Sequence, residues 1–125
     1  MKIMARLAKI EDDGYCTVFA FANDAENPDC YAILQITNKP SMQDIGLGQG
    51  GVHFELGGHN LSGYNLVKSI EQTPDGVALT IEERAAQRAG FDGHVEIKFE
   101  ERSLIGDMTA EAAVKIFQER LTDEQ

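Results

Sequence analysis

Hydrophobic and polar residues alternate along most of this chain, and the spacing lengthens to that of a helix only in two places. The segment "VHFEL" (52–56) is the cleanest case: Val52, Phe54 and Leu56 fall on one side of an extended backbone, His53 and Glu55 on the other. "HVEIKFE" (94–100) repeats the pattern, with Val95, Ile97 and Phe99 inward and Glu96, Lys98 and Glu100 outward. Residues 2–10 and 15–22 read as two strands around the turn "EDDG", and 30–37, "CYAILQIT", as a third. Segments 15–22 and 30–37 are apolar on both sides, which predicts central places in a sheet. A further strand runs from Tyr64 to Thr73. "TPDG" then reverses the chain into "VALTI" (77–81), with Asp75-Gly76 expected to supply the positive φ angles of a hairpin.

The helical spacings come late. "ERAAQRAG" predicts a short helix near 82–89, stopped by Gly90. "DMTAEAAVKIFQERL" (107–121) predicts an amphipathic helix whose buried stripe is Ala113, Ile116, Phe117, Arg120 and Leu121. Glu111 and Lys115 make an i,i+4 pair on its other side. The expected fold is α+β: a mostly antiparallel sheet of about seven strands, with the C-terminal helix packed on one face. At 125 residues it is read as a single domain, 1–125.

Charge changes the picture more than composition does. The chain carries 21 acidic and 11 basic residues, a formal net charge of −10. Such a surface repels nucleic acid, whose phosphates need clustered Lys and Arg, and it attracts a basic protein. No apolar run reaches the roughly 18 residues of a membrane span. The N-terminus scatters Lys2, Arg6 and Lys9 where a secretory signal needs a continuous apolar stretch. The expected compartment is therefore the cytoplasm. Cys16 and Cys30 lie in apolar surroundings without C-x-x-C spacing, and read as two buried thiols.

One loop spells a known motif. "IGLGQGGVHFEL" places Gly46, Gly48 and Gly51 in the G-x-G-x-x-G spacing of a dinucleotide-binding turn. That turn must open a helix whose first amides hold the pyrophosphate. Here the period-two segment "VHFEL" follows at once, so the spelling predicts no cofactor. His53, Glu55 and His59 read as neighbours, and His53 and Glu55 share one strand face, which leaves a small metal-binding, ligand-binding or enzymatic site as the alternative. The spacing is neither H-E-x-x-H nor the start of a zinc-deaminase motif, because both cysteines come earlier. "LSGY" lacks the first glycine of a nucleophile elbow, so Ser62 reads as a turn residue. Glu82-Glu83 and Glu100-Glu101 read as solvated strand ends, and His94 as an exposed strand start. No catalytic constellation, cofactor site or metal site is expected.

The segments "QDIGLGQGGVHFEL", "SGYNLVKSIE" and "DGVALTIEERAAQRAGFDGHVEIKFE" resemble the tenth family of immunity proteins of bacterial polymorphic toxin systems. Matching features are Asp44 before the glycine loop, Glu55-Leu56 closing a strand, and Ser62-Gly63-Tyr64 before the next. Asn65, Leu66 and Val67 depart from the family's further glycine and isoleucine. The resemblance implies a cytoplasmic, non-enzymatic α+β protein that binds and neutralises a cognate toxin domain, a basic one suiting the charge. In such an interface Tyr64 is the candidate anchor, and Asp44, His53, Glu55, His59 and Asn60 are candidate polar contacts. The competing roles are a turn or helix cap for Asp44 and a core ring for Tyr64. An exposed sheet edge or the terminal helix could also join two copies into a homodimer.

Overall fold

The computed structural model describes residues 1–24, 26, 29–38, 42–43, 51–101 and 104–123, with residues 104, 105 and 121–123 described as backbone only. Among the described residues nine strands form two sheets. Strands β1 (Lys2–Ala5), β7 (Val67–Thr73), β8 (Gly76–Ile81) and β9 (His94–Phe99) make a four-stranded sheet in the order β1-β9-β8-β7. Strands β2 (Leu7–Asp12), β3 (Cys16–Ala22), β4 (Tyr31–Thr37), β5 (Val52–Leu56) and β6 (Leu61–Tyr64) make a five-stranded antiparallel meander in sequence order. Helix α1 spans Glu83–Ala89 and helix α2 spans Leu104–Asp123. The α+β class stands, while the strands are divided between two sheets.

Two segments that read as single strands are each broken where the chain changes sheet. In the first, Ile3 and Ala5 point inward from β1, whereas Ala8 and Ile10 oppose the inward Phe21 and Phe19 from β2. The alternation thus shifts phase at Arg6, and an extended chain cannot shift phase without a kink. The second break falls at Asn65, which takes a left-handed φ of 60° between β6 and β7. Asparagine tolerates that conformation better than most residues. β1 pairs with β9 in parallel, Lys2 opposite Glu96 and Ala5 opposite Phe99, so the first strand depends on the last.

The inward faces of the two sheets share one core. Phe19, Phe21 and Phe54 are fully buried, and the Phe21 ring lies 6.1 Å from that of Phe99, joining the five-stranded to the four-stranded sheet. Helix α2 adds Ala110, Ala113 and Phe117 to the same cluster and approaches both β2 and the β7–β8 pair, so it spans the two sheets. Ile116 is half-buried, and Arg120, the polar member of the stripe, donates to the carbonyl oxygen of Thr37 at the end of β4. That carbonyl explains an arginine on an inward stripe, since a cation partly withdrawn from water needs an acceptor.

Local chemistry fixes the ends. Glu82 is the cap of α1: its carboxylate accepts from the backbone N–H of Arg84 and Ala85, at 3.1 and 2.8 Å. It is therefore engaged and not merely solvated. Gly90 ends α1 with a φ of 85°, as its position predicts. Neither Asp75 nor Gly76 has a positive φ, which corrects the expected hairpin chemistry. Gly76 is instead a matter of space: a Cβ there would meet the Ile97 carbonyl oxygen at 1.8 Å. Glu100 pairs with Arg6 at 2.6 Å. Both cysteines are free thiols, half-buried where burial was expected, and Cys30 packs against the core.

Candidate functional site

The residue after Gly51 begins a strand: Val52–Leu56 is hydrogen-bonded between β4 and β6, and its amides are spent on the ladder. Gly46, Gly48 and Asp44 lie outside the described residues. No helix starts at Gly51, so the described part of the loop lacks the amide cradle that a pyrophosphate needs.

The strand register separates the other candidates into two places. His53, Glu55 and Tyr64 share the outer face of the five-stranded sheet, with His53 opposite Tyr64 and Glu55 opposite Ser62. The His53 and Tyr64 rings meet edge to face, centroids 4.9 Å apart. Tyr64 is therefore not a core ring. His59 and Asn60 lie in the turn joining β5 to β6, where Asn60 takes a φ of 54°. His59 turns to Phe91, ring centroids 5.8 Å apart, and lines a depression of about 390 Å³ against α1 with Leu66, Ala85 and Arg88. The trio His53, Glu55 and His59 does not form one site, and no group of three or more His, Cys, Asp or Glu among the described residues is placed to hold a metal ion.

The outer face carries more than sequence reading assigned to it. Along the register its rows run Lys9–Ala20–Ile33–Glu55–Ser62 and Glu11–Val18–Gln35–His53–Tyr64. The centre, Gln35 apart, is apolar and half-buried, and its edges are polar and aromatic. Helices α1 and α2 direct their buried residues into the core between the sheets, not onto this face. At one end lies a depression of about 360 Å³ whose lining includes Leu7, Ala20, Tyr31 and Ile33 together with Asp24 and Glu55. The Tyr31 ring covers Gly57, where a Cβ would stand 2.2 Å from it. The negative charge of Glu55, more than loss of water, raises the Tyr31 phenol above its ordinary value.

The family model described as Immunity protein 10 matches residues 4–104, which takes in β2 to β9 and α1 whole. The chain belongs to that family. None of the curated proteins compared with it matches. In this member of the immunity protein family, Tyr31, Ile33, Leu7 and Ala20 are the residues of the face that the motifs did not single out. The available signal was the two-sided apolar character of β3 and β4. Only two helical patterns accompany so much strand, too few to cover both faces of two central strands.

Proposed function

We propose that the protein is an immunity protein that binds a cognate toxin domain in the cytoplasm and blocks it by contact, with no chemistry of its own. Family membership supports the class of function. The observation that carries the mode of action is the outer face of the β2–β6 sheet: an apolar centre on Val18, Ala20 and Ile33, bordered by Tyr31, His53, Glu55 and Tyr64. Tyrosines at the border of an apolar patch give large contact area at low cost in side-chain entropy, which suits protein recognition. The net charge of −10 favours encounter with a basic partner and raises its association rate at low salt.

The test is co-expression with the toxin domain encoded beside it. Restored growth together with a complex that co-elutes in size-exclusion chromatography supports the reading. Cells that die despite full expression of the soluble protein, with no complex formed, overturn it.

A further inference from the structure

We infer that the depression beside Tyr31 receives a cationic side chain, arginine or lysine, projected by the toxin domain; this rests on the functional reading above. Two observations converge there. The floor is apolar, built from Leu7, Ala20, Tyr31 and Ile33, and can hold the methylene stem of a long side chain. Both charged groups that line it, Asp24 and Glu55, are carboxylates, so the lining is negative and suits a cationic head. Lys9 pairs with Glu11 at 2.5 Å, and Arg6 pairs with Glu100 at 2.6 Å while also lying within electrostatic reach of Asp24.

Tyr31 and Glu55 line the same depression, and the Tyr31 phenol feels the charge of the carboxylate. That carboxylate offers about four lone-pair sites to an incoming donor. A guanidinium or ammonium arriving there forms a charge-assisted hydrogen bond in partly dehydrated surroundings, where such bonds are roughly twice as strong as neutral ones. The larger depression at α1 lacks this complementarity. Its charged lining residue, Arg88, is itself a cation and would repel the same side chain.

The experiment is calorimetric titration of the intact protein with the purified toxin domain of the neighbouring gene, at low and at moderate salt. Circular dichroism melts check that each variant is folded. Glu55→Gln is expected to weaken binding about tenfold, and Asp24→Asn with Glu55→Gln about a hundredfold with a flatter salt dependence. Ile33→Arg, which puts a cation into the depression, is expected to abolish binding, while Arg88→Ala leaves it unchanged. If Ile33→Arg abolishes binding but both carboxylate variants bind as tightly as wild type, the depression takes an uncharged anchor and the inference is wrong. If every variant binds like wild type, the face is not the interface, and the inference fails while the immunity function stands. If wild type itself neither binds nor protects, the functional reading fails and takes this one with it.

Discussion

Alanine at Gly57 and at Gly76 places the same methyl group against two different obstacles, and the difference can be measured. At Gly57 the new Cβ would stand 2.2 Å from the Tyr31 ring. Ordinary carbon–carbon contact needs about 3.5 Å or more, so the ring must withdraw by over 1 Å or so. It is half-buried on an outer face and ends a rotatable side chain, so it can swing away at a cost of about 1 kcal/mol. At Gly76 the nearest atoms are backbone: the Ile97 oxygen at 1.8 Å, its carbon at 2.8 Å and the Lys98 Cα at 3.2 Å. No side-chain rotation relieves that clash. β8 and β9, both interior to their sheet, must part, and the Gly76–Lys98 and Val77–Ile97 pairings open. Overpacking usually costs about 1–3 kcal/mol, and a backbone obstacle puts this substitution at or above the upper end. For a domain of this length each kcal/mol lowers Tm by roughly 3–5 °C. Thermal melts followed by circular dichroism should therefore show a loss of roughly 10 °C or more for Gly76→Ala and about 5 °C or less for Gly57→Ala. Alanine also reduces the freedom of the unfolded chain, but equally in both variants, so the difference survives. Equal losses, or a greater one at Gly57, would refute the reasoning. Gly57→Ala should in addition weaken toxin binding, because it displaces the ring that walls the depression.

Other outcomes follow from the same contacts. Phe54→Ala, at a fully buried position, should cost about 3–5 kcal/mol by urea denaturation; a loss below about 1 kcal/mol would mean that the core collapses around it. Glu82→Ala, which leaves the Arg84 and Ala85 amides without their acceptor, should lower Tm by a few degrees, whereas Glu83→Ala next to it should leave Tm nearly unchanged. Asp12, Asp13, Glu82 and Asp92 are held below the usual carboxylate range chiefly by backbone N–H donors, of Gly14, Cys16, Ala85 and His94, and Glu100 chiefly by Arg6. A carboxylate depressed in the folded state adds stability above its unfolded pKa and loses it as pH falls through the folded one. The urea midpoint should thus hold from neutral pH to about 5 and decline steadily below about 4; a midpoint unchanged at pH 3 would contradict this. Glu55→Gln should bring the Tyr31 phenol down towards its ordinary value in an alkaline absorbance titration, with Tyr31→Phe identifying the phenol that moves.

What the sequence made legible was the side each strand buries. Val52, Phe54 and Leu56 are inward, as are Val95, Ile97 and Phe99, because period-two alternation reports burial directly. The capping glycine of α1 and the extended run after Gly51 were legible for a similar reason, since each depends on a few adjacent residues. Which strands lie side by side is a different matter. The parallel pairing of Lys2–Ala5 with Glu96–Phe99 joins residues far apart in the chain, and no local pattern encodes it. The division into two sheets rests on a one-residue phase shift at Arg6 that is present in the sequence and easily read as noise. The role of Gly76 depends on the backbone of β9, which only the folded structure brings near. At the candidate site, alternation correctly put His53 and Glu55 together. Proximity in sequence wrongly added His59, because the Gly57–Asn60 turn carries it round to α1.

The pairing of β1 with β9 also sets the order of events during synthesis. β1 must wait until its parallel partner β9 has emerged, roughly 5–20 s later at ordinary elongation rates. A chain released before Phe99 would lack that partner and expose the edge of β8, an invitation to aggregation. Without β9 the four-stranded sheet would be reduced to the β7–β8 hairpin, with β1 left unpaired.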